Sequence, residues 1–183
     1  MSDVAYLKSL LTAHPDFPKK GIVFLDIFPI LRNPVAFETL ITNLVHHLTS
    51  STIARSESKK IDVIVGLDAR GFLLGPIVAM RLGAAFVPVR KKGKLPGETV
   101  TATFEKEYGT DSFEIQADAI KPGQNVVVID DLIATGGSAK AAGELIAKVG
   151  GKTLEYLFII ELSFLQAASK LDAPLYSLVQ VDD

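Results

Sequence analysis

The sequence predicts an α/β fold with a mainly parallel, twisted sheet flanked by helices. Three observations carry that expectation. Runs apolar throughout, such as IDVIVGL (61–67), NVVVID (125–130) and TLEYLFIIEL (153–162), read as strands covered on both faces. Helical patterns stand between those runs, so successive strands are joined by crossovers. Glycines and prolines punctuate the junctions.

The elements follow in order. Residues 3–12 have the pattern of a short helix that stops before His14-Pro15. DFPKKGIVFLDIFPILRNP (16–34) mixes apolar residues with turn formers and reads as irregular or short-strand, not as a core element. Pro34 suits the first position of a helix capped by Asn33, and Val35, Phe37, Leu40, Ile41, Leu44, Val45 and Leu48 recur at helical spacing. STIARSESKK (51–60) reads as a polar surface loop. A strand at 61–67 leads into a helix over 70–83 that ends on Gly83, and AAFVPVR (84–90) is the second strand. The alternation TVTAT (99–103) fits a hairpin. The third strand ends on Asp130-Asp131, a helix spans about 136–149, the fourth strand is 153–162, and a short helix near 164–170 precedes the fifth strand at 174–180.

At 183 residues with 48% hydrophobic content, the chain is expected to form one domain with a substantial core. A net charge of −2 gives no polyelectrolyte signature, so nucleic acid is not expected as a partner. The absence of cysteine removes thiolate metal sites and cysteine nucleophiles. No apolar run is long enough to span a bilayer and the first residues lack signal-peptide character; a cytoplasmic protein without membrane contact is the expectation.

In a parallel sheet of this kind ligands gather beyond the carboxyl ends of the strands. Three strand ends carry polar chemistry. After the third strand comes DDLIATGGSA (130–139). Gly136 and Gly137 allow successive N–H groups to converge, Thr135 and Ser138 add hydroxyls, and a helix N-terminus favours negative charge. A phosphate monoester fits this loop; a Thr/Ser-capped helix explains TGGS taken alone. Asp130 and Asp131 would repel a phosphate, so they point to another part of the same ligand, such as ribose hydroxyls. The alternative is an acidic pair at a surface turn. VGGKT (149–153) is not a phosphate-binding Walker loop, because Ile146 stands where its first glycine belongs.

The second strand end is Asp68-Ala69-Arg70, where an arginine and backbone amides can grip a second anion; a helix-start charge is the plainer reading of Arg70. The third is the basic cluster Arg90, Lys91, Lys92 and Lys94 beside Gly93 and Gly97, either a solvated surface or a mobile lid over a polyanion.

Taken together, VVVIDDLIATGGSA, FPKKGIVFLDIFPIL, GLDARGFLLGP and RKKGKLPGETVTATFEKEYG resemble, in order, the motifs of the type I phosphoribosyltransferases over about residues 16–178. The resemblance is closest to the branch that uses adenine. It implies an N-terminal helix and hood over the base site (1–33) and an α/β core (34–183) with a mobile loop at about 91–109. The implied reaction joins adenine to phosphoribosyl pyrophosphate, giving AMP and pyrophosphate.

Implied roles are the 5-phosphate loop for Ala134, Thr135, Gly136, Gly137 and Ser138, and pyrophosphate contacts for Asp68, Ala69, Arg70, Arg90, Lys91 and Lys94. In the family the pyrophosphate loop often carries a non-proline cis peptide just before its arginine. Glu107, Tyr108, Asp130 and Asp131 take catalytic roles, with Glu107 managing the proton at the base. Val23, Phe24, Leu25 and Leu162 line the adenine site, with Phe24 stacking on the purine; core packing is the plain alternative for Phe24. Leu25 stands where the family commonly has arginine. The implied cofactor is Mg²⁺, held mainly by substrate and water with no protein metal site, and the implied assembly is a homodimer.

Three rivals remain at this level: a transferase for a 6-oxopurine, a non-catalytic sensor of the same ligands, and a nucleotide-binding module without turnover. A sensor that regulates transcription needs a DNA-binding element, and none is visible. His14 reads as a linker residue, and His46-His47 as part of an ordinary amphipathic helix.

Overall fold

The computed structural model describes residues 2–17, 19–105 and 110–182. A seven-stranded sheet carries the molecule, in the order β5-β6-β4-β3-β7-β8-β9. Strands β3 (Val63–Leu67), β4 (Ala85–Lys91), β7 (Asn125–Ile133), β8 (Lys152–Leu162) and β9 (Leu175–Val181) run parallel. The hairpin of β5 (Thr99–Glu105) and β6 (Thr110–Gln116) adds to β4 in the antiparallel sense.

Alternate residues of the central strands feed two cores, as the period of two requires. Ile64, Val127, Ile129, Leu157 and Ile159 pack under α1 (Asp3–Leu10), α3 (Pro34–His47) and α4 (Gly71–Leu82). Val63, Val65, Val126, Val128, Tyr156 and Phe158 pack under α5 (Gly137–Lys148). The uninterrupted apolar runs are thus the two-faced parallel strands that the sequence predicts. Among the described residues no helix is long and apolar enough to cross a membrane.

Helix ends follow local chemistry. The Asn33 side-chain oxygen accepts from the N–H groups of Val35 (3.1 Å) and Ala36 (3.2 Å), with Pro34 next in line. Gly83 closes α4 in the left-handed region, at φ +65°.

Three segments differ from their sequence reading. His14-Pro15 is not a linker: β1 (Thr12–Pro15) pairs antiparallel with β2 (Val23–Asp26), placing His14 opposite Phe24. The partner strand lies outside the turn-rich stretch, so local pattern could not reveal the pairing. A short helix, α2 (Phe28–Leu31), follows, started by the Asp26 carboxylate accepting from the Phe28 N–H at 2.9 Å. Its Ile30 is fully buried, so this stretch does contribute to the core.

Residues 51–60 are not wholly a surface loop. The chain continues from α3 through a π-helical turn at Leu48–Ile53, and Thr52 is buried. The cause lies on β8, where the fully buried Glu155 needs partners. Thr52 and Arg55 each donate to it at 2.7 Å, and His47 also contacts it. Tyr176 stacks on the His47 ring at 3.4 Å between centroids. His47 therefore has a structural partner 108 positions away that spacing could not show.

Candidate active site

Strand β7 runs straight through both aspartates to Ile133 before the chain turns into α5. At the turn Gly136 has φ +82°, and a Cβ there would sit 3.1 Å from the Cβ of Ala167. Only glycine fits both the backbone angle and the space. Residues 134–138 line one cavity together with Asp68, Arg70, Asp130 and Asp131. From outside the cavity Lys170 donates its ammonium to the Thr135 carbonyl at 2.8 Å, which fixes the loop from behind.

Asp131 is almost fully buried and its Oδ2 pairs with Arg70. The Oδ1 atoms of both aspartates are buried without a partner. Unsatisfied buried carboxylate oxygens are costly, and they mark this strand end as a candidate for function. Burial first, then the charge of Asp131, pushes the Asp130 carboxyl up to about 8; Arg70 acts in the opposite direction without cancelling them. The adjacent carboxylates thus differ in setting. Asp131 is tied to the neighbouring loop, and Asp130 sits at the start of α4, with its Oδ1 3.4 Å from where a Cβ on Gly71 would be.

The loop after β3 comes beside this pair. The Asp68–Ala69 peptide is cis, one residue short of the bond directly before Arg70. Asp68 accepts from the Arg90 Nε at 3.0 Å, which brings the basic cluster against the loop. Arg90 also donates to the Lys94 carbonyl at 3.1 Å. Lys91 turns instead toward Asp111 of β6, at 3.8 Å, and of the pyrophosphate candidates only Asp68 and Arg70 line the cavity, with Ala69, Arg90, Lys91 and Lys94 outside its lining. Glu107 and Tyr108 lie outside the described residues.

A second, more apolar cavity opens under the hood and shares Arg70 with the first. It is lined by His14, Phe17, Phe24, Asp26 and Phe28. Phe17 meets Phe24 edge to face at 5.3 Å, and the Arg70 guanidinium lies 5.6 Å from the Phe24 ring centre. Val23 is exposed and is not among the residues lining this cavity, while Leu25 and Leu162 are partly buried against the main core.

Sequence reasoning missed Phe17 and Lys170. Phe17 carried a detectable signal, a phenylalanine in the same turn-rich stretch as Phe24. Lys170 acts through a backbone carbonyl 35 positions away, and no local pattern marks it.

Comparison with known proteins agrees with this geometry. The sequence profile of the phosphoribosyl transferase domain matches residues 38–179. The chain is 59% identical over 173 residues to adenine phosphoribosyltransferase of Yarrowia lipolytica, covering 94% of this chain and 93% of that protein. It is 54% identical to adenine phosphoribosyltransferase 1 of Saccharomyces cerevisiae, covering 94% and 90%. The crystal structure of the Saccharomyces cerevisiae enzyme, complexed with an imino-altritol bisphosphate and adenine, superposes with a TM-score of 0.92 at 52% identity, covering 97% of this chain and 98% of that one. The chain belongs to the adenine phosphoribosyltransferase branch of the type I phosphoribosyltransferase family.

Proposed function

We propose that the chain transfers the 5-phosphoribosyl group from phosphoribosyl pyrophosphate to adenine, giving AMP and pyrophosphate in cytoplasmic purine salvage. The observation that carries this reading is one cavity that joins a phosphate-type loop to two carboxyl groups and shares Arg70 with a second cavity lined by the aromatic residues of the hood.

The 5-phosphate sits on the N–H groups and hydroxyls of residues 134–138 at the start of α5. Ribose hydroxyls bond to Asp130 and Asp131; the Asp131 carboxylate, joined by Asp130 when it ionises, favours the positive charge that develops on the sugar as its bond to pyrophosphate breaks. Arg70, with Arg90 and Lys94, faces the leaving pyrophosphate. Adenine stacks on Phe24, backbone groups of Val23 and Leu25 read its edge, and Leu162 closes a wall. The base nitrogen forms the new bond to the sugar carbon as the pyrophosphate oxygen leaves, and Glu107 manages the base's proton.

Mg²⁺ fits this donor set as an ion carried by the substrate. The carboxyl groups of Asp130 and Asp131 line the cavity and can accept from the hydroxyls or from water in the ion's shell. When bound, the ion neutralises charge on the leaving pyrophosphate. A homodimer is also proposed: Leu73 and Met80, on one side of α4, are 40% and 71% exposed, an apolar stripe suited to a second copy.

Product analysis tests the function. With adenine and phosphoribosyl pyrophosphate the protein should release AMP and pyrophosphate in equal amounts, only with Mg²⁺, and should keep making AMP when hypoxanthine and guanine are present at equal concentration. Preferential formation of IMP or GMP would overturn the choice of base, and no nucleotide at all would overturn the reaction.

A further inference from the structure

One buried charged group near the site has no part in the reaction as drawn above. Glu114 lies on β6, opposite Arg90 of β4 and Thr101 of β5, and is 3% exposed. Its cross-strand neighbour Arg90 is a cation, yet its bonds go elsewhere. One carboxylate oxygen accepts from the backbone N–H groups of Lys94 (2.8 Å) and Leu95 (2.7 Å), and the other from the Thr99 hydroxyl (3.4 Å).

The same short segment is held from its other side, because the Lys94 carbonyl accepts from Arg90, whose Nε donates to Asp68. Gly93 at φ +81° and Gly97 at φ +79° bracket the segment with turns. The result is a continuous chain of bonds from Glu114 through the backbone of Lys94 to Arg90 and on to the Asp68 loop. Burial alone would raise the Glu114 carboxyl, but the N–H groups of Gly93, Leu95 and Lys94 outweigh it and hold the group below its ordinary value. An ionised, buried carboxylate that spends itself on loop N–H groups fixes where the loop leaves the sheet.

We propose that Glu114 is a positioning residue for the pyrophosphate end of the sugar donor: by holding the backbone at Lys94 and Leu95 it sets Arg90 and Lys94 against the loop of Asp68 and Arg70. The inference rests on the assignment of that loop to pyrophosphate. Glu114 touches neither the sugar nor the base, so its effect should fall on one substrate only.

Two variants and two readouts test it. Glu114→Ala removes both acceptors; Glu114→Gln keeps the shape and one good acceptor oxygen. Calorimetric titration with Mg²⁺-pyrophosphate reads the site without turnover, and steady-state kinetics separates the substrates. Glu114→Ala should weaken pyrophosphate binding and raise KM for phosphoribosyl pyrophosphate by about tenfold, with KM for adenine within about twofold. Glu114→Gln should fall between that variant and the wild type. If Glu114→Ala does not fold, Glu114→Gln decides alone, with about threefold weaker pyrophosphate binding expected. Unchanged pyrophosphate binding in a folded variant, or adenine and donor KM values rising together, would overturn the proposal. The two failures are separable. A wild-type protein that makes AMP while both variants bind pyrophosphate normally removes the role of Glu114 and leaves the reaction standing. A wild-type protein that makes no AMP removes the reaction, and the pyrophosphate titration still decides the role of Glu114.

Discussion

Asp130→Asn combined with Asp131→Asn should lower kcat by about 10²–10³-fold while the folded structure survives. Both carboxyl groups line the cavity; Asp131 loses the charge it holds against Arg70, and Asp130 loses the ability to ionise beside the sugar as it becomes cationic. Amides still fill the space and accept one hydrogen bond each, so the loss is electrostatic and not steric. Circular dichroism together with single-turnover AMP formation checks this; near-normal kcat in a folded double variant would remove the pair from the mechanism.

The single Asp130→Asn variant adds a stability signature. The folded-state value near 8 lies above the unfolded one, so the native protein holds an extra proton in between. The stabilisation tied to that proton is complete below about pH 4 and is lost as pH rises through the folded value. An asparagine has no such proton to lose. Relative to the wild type, Asp130→Asn should therefore gain stability as pH climbs from about 4 to 9, by on the order of a few kcal/mol. Denaturant midpoints across that range supply the check, and a variant that gains no stability relative to the wild type as pH rises would contradict the burial of this carboxyl.

Gly71→Ala is the second large effect, and it runs against helix propensity. Alanine is the better helix former by about 1 kcal/mol. At the first residue of α4, however, the new methyl group would sit 2.5 Å from the Ile129 carbonyl and 3.4 Å from the Asp130 Oδ1. The carbonyl belongs to the sheet and cannot move without displacing β7. Overpacking of this kind costs about 1–3 kcal/mol, enough to reverse the propensity gain. Because β7 carries the aspartates and the residue before Gly71 is Arg70, the displacement reaches both sides of the cavity. A lowered Tm with a roughly tenfold or greater fall in kcat/KM for the sugar donor is expected. A higher Tm with intact kinetics would show that the helix start tolerates a side chain.

Legibility in the sequence tracked the range of the interactions. Strands β3, β7 and β8 were readable because burial on both faces leaves a long apolar run. The turn at Gly136 was readable because its conformation is local, and the Asn33 cap for the same reason. The hood followed from the family resemblance, but its internal pairing was not readable, because β2 depends on residues 12–15 across a turn. The fate of residues 51–60 was hidden too, since Glu155 on a distant strand dictates it. Within the site, Asp68, Arg70 and residues 130–138 line one cavity beyond the carboxyl ends of their strands, where a parallel sheet gathers ligands. The charge pattern of the basic cluster did not reveal that Lys91 turns aside, nor that Arg90 reaches Asp68.

The central claim is that one ligand meets two chemistries on this strand end, a phosphate on 134–138 and a sugar on Asp130 and Asp131. A crystal structure of the protein with AMP measures this directly. The phosphate should rest on the N–H groups of Thr135 to Ser138, the ribose hydroxyls within hydrogen-bonding distance of the two carboxyl groups, and adenine against Phe24. A phosphate seated at Arg70 and Arg90, or a ribose with no contact to either aspartate, would contradict it.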